Sequence, residues 1–212
     1  KYGLYSSNDA LNNSLLETKN FPEKWLLVNK YKGTEGYLVD LSKDIDKQAR
    51  LIIKLFKKKI IIRSCASTSL EQNLAGYYES IIVDDLNEKN IKEILNKFKE
   101  QIDFVWIQTY VKASVYGVAT SFDKSLTKIF VSYGDAQAAT EGTKDLNELK
   151  LNRKQYHSDN MLDKLRVEVL KIEKFYNTPV VIEFAYSRKK IVILQIRLDN
   201  TDLYSSVLSS RL

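Results

Sequence analysis

The stretch Pro179-Val-Val-Ile-Glu183-Phe-Ala is followed, after the polar run Ser187-Arg188-Lys189-Lys190, by Ile191-Val-Ile-Leu-Gln195-Ile-Arg197. Runs of β-branched and aromatic residues on either side of a short polar turn predict a β-hairpin. A strand repeats every two residues, so Gln195 and Arg197 share a face, and the hairpin sets Glu183 on the matching one. A carboxylate, an amide oxygen and a guanidinium on one sheet face suit a divalent cation and a phosphate, because hard oxygens bind Mg²⁺ and the arginine fork binds phosphoryl oxygens. The same residues also suit a solvated Glu–Arg cross-strand pair, which is the commoner outcome for such a hairpin taken alone.

Upstream, Ile60-Ile-Ile-Arg63-Ser-Cys-Ala-Ser-Thr68 describes a buried strand that runs into a small-residue loop. Gly76 follows in Leu74-Ala-Gly76-Tyr-Tyr-Glu79-Ser80, ahead of a second apolar strand, Ile81-Ile-Val83. Small hydroxyl residues and a glycine let backbone N–H groups approach an anion closely, and Arg63 adds charge. Cys65 falls inside this loop as a small filler in the place of serine, with no neighbouring histidine or metal set to activate it.

Together these segments resemble the nucleotide-binding domain shared by phosphoenolpyruvate synthase, pyruvate phosphate dikinase and rifampicin phosphotransferase. Arg63-Ser-Cys-Ala-Ser with Leu74-Ala-Gly76-Tyr-Tyr-Glu79-Ser80 is similar to the family's arginine and glycine-loop signature. Ile107-Gln108-Thr-Tyr-Val111 with Gly117-Val118 resembles its linker strand, and Tyr133-Gly134-Asp-Ala-Gln137 with Gly142 and Asp145 its following loop. Ile172-Glu173-Lys-Phe175, Pro179, Ile182-Glu183-Phe-Ala and Leu194-Gln195-Ile-Arg197 resemble its closing segment. The matches keep the family's order over residues 60–198.

The resemblance implies an α+β, ATP-grasp-like fold whose two lobes clamp the nucleotide. It implies that Glu183 and Gln195 hold Mg²⁺ and that Arg63 and Arg197 grip the phosphates of ATP. Gln108 would face the adenine, and the loop around Gly76 would close over the triphosphate. The chain departs from the family at Gln137 in place of glutamate, at Lys124 and Leu198 in place of prolines, and in lacking a clear counterpart of the N-terminal phosphate-binding lysine loop. Lys24, Lys30 and Lys32 lie in that region, and their spacing selects none of them.

In the family, a phosphoryl group passes from ATP to a histidine on a separate domain and then to a small-molecule acceptor. Known acceptors are pyruvate, a rifamycin-type hydroxyl and the amide nitrogen of glutamine, and a glutamine kinase-type member is the expectation here. His157 is the only histidine, and its place before a helix suits a solvated or capping imidazole. The phosphohistidine carrier is therefore expected elsewhere, in cis or in trans. The alternative is a catalytically incomplete nucleotide-binding module with a regulatory or scaffold role.

Along the chain, residues 1–103 are expected to form an N-terminal lobe with the phosphate loop, and residues 104–212 a second lobe with the hairpin. An irregular stretch opens the first lobe, followed by helices near Asp44–Lys57 and Glu88–Gln101 and a β-rich connection over Phe104–Val111. The second lobe has strands near Gly117–Phe122, Ile129–Tyr133 and Leu149–Leu151. A helix near Ser158–Tyr176 follows, capped by Ser158 or Asp159, with Leu162, Leu165, Val169, Ile172 and Phe175 turned inward. No internal repeat or low-complexity segment interrupts this order.

Composition sets limits on this reading. With 44% hydrophobic and 28% charged residues, the 212-residue chain has the balance of an ordinary globular protein. No apolar run is long enough for a membrane span, and one cysteine excludes an intramolecular disulfide, so a reducing cytoplasm is the default. The net charge of +6 is concentrated near Lys57-Lys58-Lys59, where a helix end favours cations. No nucleic-acid module accompanies that cluster, and neither nucleic acid nor a membrane is expected as a partner.

Overall fold

The computed structural model describes residues 3–6, 31, 36–65, 80–121, 128–134 and 147–198. The chain divides into two compact units, Lys1–Tyr110 and Val111–Leu212. The strand expected to open the second lobe, Phe104–Thr109, belongs to the first unit instead.

In the first unit, an antiparallel sheet runs in the order β1-β2-β5-β3-β4. Its strands are β1 (Leu4–Ser6), β2 (Gly36–Asp40), β3 (Ile60–Cys65), β4 (Ser80–Val83) and β5 (Phe104–Thr109). The central strand β5 pairs with both β2 and β3. Its Phe-Val-Trp-Ile run is therefore shielded along both edges, which suits β-branched and aromatic side chains. The opening of the chain is not wholly irregular as expected, since β1 and β2 form there. Cys65 does not lie in a loop: it ends β3 and is buried.

Two helices cover one face of this sheet, α1 (Ile45–Leu55) and α2 (Glu88–Lys99). Each begins where a side-chain oxygen accepts a free backbone N–H, Asp44 from Lys47 and Asn87 from Asn90. Apolar residues at three- and four-residue spacing turn inward, with Ile52 and Leu95 fully buried against Ile60, Ile62, Val105 and Ile107. Alternation sends Leu38, Trp106, Gln108 and Arg63 to the opposite face of the sheet.

In the second unit, the sheet order is β10-β9-β6-β7-β8, again antiparallel. The strands are β6 (Val115–Thr120), β7 (Lys128–Gly134), β8 (Asn147–Asn152), β9 (Val180–Ser187) and β10 (Lys190–Leu198). Helix α3 (Asn160–Tyr176) packs on β9 and β10. Of the two caps expected for it, Asp159 is the one used, accepting from the backbone of Met161 and Leu162. Leu162, Leu165, Val169 and Ile172 are buried, but Phe175 is not: it is 51% exposed and meets Tyr176 edge-on. The helix ends one residue later, at Tyr176, and Asn177 caps it in the left-handed conformation.

Arg153 fastens the segment before α3 to the helix and the sheet. Its guanidinium takes both carboxylate oxygens of Glu173 and also donates to the Ser121 carbonyl at 3.0 Å. Arg166 donates to the Arg153 carbonyl and to Asp163. No helix among the described residues is long and apolar enough to cross a membrane.

Candidate functional site

Strands β9 and β10 meet through Arg188 and Lys189, both with positive φ, 50° and 63°. That turn matches the right-handed twist of the strands it joins. From the turn the ladder runs Lys190↔Ser187 to Ile193↔Phe184, and then the register shifts so that Gln195 stands opposite Glu183. Continued without the shift, the ladder would set Leu194 opposite Glu183 and Gln195 opposite Ile182, which is fully buried on the core face. The β-bulge therefore brings the amide round to the carboxylate's face. Arg197, opposite Val181, lies on the same face, diagonal to Glu183.

The three side chains touch. Arg197 donates from Nη2 to Glu183 Oε1 at 3.3 Å. The Gln195 amide spans the other two, with one end 3.1 Å from Glu183 Oε1 and the other 2.8 Å from Arg197 Nε. With nitrogen toward Glu183 and oxygen toward Arg197, both contacts are hydrogen bonds. Gln195 is only 3% exposed, whereas the side chains of Glu183 and Arg197 are 28% and 56% exposed. The charged ends thus face outward from a fixed amide.

Cross-strand pairing extends this face over the sheet. Glu183 stands opposite Val118, Val118 opposite Ser132, and Ser132 opposite Glu148. Val118 is exposed, and on the neighbouring row Lys150 lies over the Phe130 ring, 5.0 Å from its centre. Among the described residues there is no group of three or more His, Cys, Asp and Glu side chains able to hold a metal.

The remaining expected residues lie in the first unit or outside the described residues. Arg63 stands opposite Trp106 and Ser80, and Gln108 opposite Ile61, so both face the same side of the first sheet with Trp106 between them. Gln108 is buried, and its Oε1 accepts from Trp106 Nε1 at 2.8 Å. The indole packs where Gly36 has no side chain. Trp106 and Gly36 were not singled out from the sequence, although a tryptophan two residues before Gln108 on one strand face carries the signal. Gly76, Gln137, Lys24, Lys30 and Lys32 lie outside the described residues.

His157 makes two local hydrogen bonds ahead of α3. Its Nδ1 accepts the Asp159 N–H at 3.1 Å, and its own N–H donates to Asp163 Oδ1 at 3.3 Å.

No protein-family model and no curated protein matches the chain. Among solved structures it is similar to D-alanine–D-alanine ligase from Helicobacter pylori, with a TM-score of 0.53 and 15% identity over 86% of this chain and 55% of that one. The corresponding ligase from Coxiella burnetii aligns with a TM-score of 0.53 and 8% identity over 87% of this chain and 52% of the other. The Bacillus anthracis enzyme complexed with ATP aligns at 0.51 and 9% identity, covering 87% and 58%. The chain thus spans little more than half the length of these ATP-grasp ligases. At such identities the likeness concerns architecture alone, and with the two antiparallel sheets and their helices it gives the chain an α+β, ATP-grasp fold.

Proposed function

We propose that this chain is the nucleotide-binding part of an ATP-dependent phosphotransferase, with Mg²⁺-ATP held at the face carrying Glu183, Gln195 and Arg197. The carrying observation is the spacing of the carboxylate and amide. If the amide is reversed, its oxygen comes to 3.1 Å from Glu183 Oε1, a repulsive contact unless a cation lies between them. Neighbouring oxygens around Mg²⁺, with ligands at about 2.0–2.1 Å in octahedral geometry, are about 2.9 Å apart, so the pair fits. When bound, the cation supplies charge neutralisation on the phosphates.

The chain's own residues supply the rest. Arg197 donates its planar fork to phosphoryl oxygens and stabilises charge on the transferred group.

The order of the motifs over residues 60–198 supports the finer reading, a phosphoenolpyruvate synthase-like enzyme in which a histidine on a separate domain receives the phosphoryl group. In this reading the carrier histidine lies on another domain, and His157, whose Nδ1 accepts the Asp159 N–H ahead of α3, has a structural role. The acceptor in this reading is a small molecule such as the glutamine amide, and the setting is cytoplasmic. The similarity to D-alanine–D-alanine ligases favours a second reading, in which the same ATP site drives the joining of two small molecules.

Calorimetry tests the site. Glu183→Ala is expected to weaken Mg²⁺-ATP binding by roughly tenfold or more while circular dichroism stays unchanged. Equal affinity in both proteins would sink the assignment. Isotope exchange between ATP and AMP, appearing only when a histidine-bearing partner domain is added, would separate the phosphotransferase from the ligase.

A further inference from the structure

We infer that Gln195 is a positioning residue that couples cation binding to the release of Arg197, an inference that rests on the cation site proposed above. The argument starts from the two ends of one amide. Without a cation, the Gln195 nitrogen donates to Glu183 Oε1 at 3.1 Å and its oxygen accepts from Arg197 Nε at 2.8 Å. Arg197 is also tied to Glu183 Oε1 at 3.3 Å. Two of its donors are thus spent inside the cluster.

A cation at Glu183 needs oxygens, so the amide must reverse. Gln195 is almost fully buried, and its backbone is fixed by pairing with Glu183, so the reversal is a turn of the amide about its own terminal torsion rather than a departure of the side chain. Reversal sets the amide N–H₂ against the Arg197 Nε–H at the same 2.8 Å, donor against donor. The cation also draws on the oxygen that holds Nη2. Both ties are lost together, and the guanidinium, already 56% exposed, swings out with its fork free for a phosphate. Cation and arginine compete for the same two acceptors, so the fork becomes available only when the metal is present.

The test observes the Arg197 Nε–H by ¹⁵N NMR, assigned by its loss in Arg197→Lys, with Mg²⁺ alone as titrant and matched sodium chloride as control. Wild-type protein is expected to show the Gln195 amide signals moving on Mg²⁺ addition. Exchange of the Arg197 Nε–H with solvent should quicken by roughly tenfold or more, the factor carried by loss of one charge-assisted hydrogen bond. In Gln195→Glu both ends are oxygens, so Mg²⁺ should bind while the Arg197 Nε–H stays protected. Gln195 signals that move while Arg197 exchange is unchanged would overturn the coupling and leave the cation site standing. If Mg²⁺ moves neither set of signals, the site reading fails and takes the coupling with it. The wild-type measurement decides both, even where a variant does not fold.

Discussion

Trp106 lies against the backbone of Gly36, so closely that a β-carbon on Gly36 would fall 2.4 Å from Cζ2 and 2.5 Å from Cε2 of the indole. The indole's N–H holds the Gln108 oxygen, and Gln108 stands opposite Gly36 across β2 and β5. A glycine therefore sets the position of a tryptophan, which sets the orientation of an amide.

Gly36→Ala is expected to push the indole aside at a cost of about 1–3 kcal/mol, the usual range for overpacking a filled site. Urea unfolding in a Trp25→Phe background, followed by the fluorescence of Trp106, reads both the lower midpoint and the altered environment. An unchanged midpoint and spectrum would show that the indole has room to move.

The Arg153–Glu173 pair is expected to contribute more than a surface ion pair, because its side chains are only 13% and 20% exposed and the contact is two-pronged. Glu173→Ala leaves the guanidinium with the Ser121 carbonyl as its remaining partner in this contact. The expected loss is about 2 kcal/mol, between the exposed and the fully buried cases. Adding Arg153→Met should recover part of that loss, since an unpaired charge is then no longer held there. A double-mutant cycle with purely additive effects would rule the coupling out.

Stability should fall at both ends of the pH scale for identifiable reasons. The Arg166 hydrogen bond holds Asp163 below its ordinary value of 3.8 against the opposing effect of burial, and the His157 N–H adds to it. Asp44 is lowered likewise, chiefly by the Lys47 N–H that it caps. A depressed carboxyl contributes stability that is present above its unfolded value and lost as pH falls through the folded one. The acid limb should therefore begin near pH 4 and flatten in Asp163→Asn and Asp44→Asn. Tyr176 behaves in the opposite sense: burial pushes its phenol up to about 12 from 10.0. Its contribution is present below pH 10 and lost as pH rises toward 12, so Tyr176→Phe should flatten the alkaline limb in thermal melts taken across that range.

Helices α1, α2 and α3 were legible because apolar residues recur at helical spacing behind a capping Asp or Asn, a local signal that packing then uses. Phe175 continues the α3 stripe and is exposed, because the helix closes at Asn177 and its ring finds Tyr176 rather than the core. Strands β1 and β2 escaped notice for another reason. β1 has three residues, and β2 is held by pairing with Ile107 and its neighbours, far along the chain, a contact that no local pattern announces. At the candidate site, residue types could be read directly, but not their meeting. Plain alternation from a two-residue turn sends Gln195 to the core, and only the extra residue near Leu194 brings it back.

That extra residue acts as a phase shift written into one strand. Between the turn and Ile193 the side chains of β10 keep one beat with β9, and from Gln195 onward they keep another. Shortening the chain at Leu194 would merge the two beats and leave the amide opposite its carboxylate, so the pairing is robust to that loss. Lengthening it by one residue between Gln195 and Arg197 would turn the guanidinium to the far side of the sheet and split the cluster. The cluster thus survives loss of a residue just before Gln195 but not gain of one just after it.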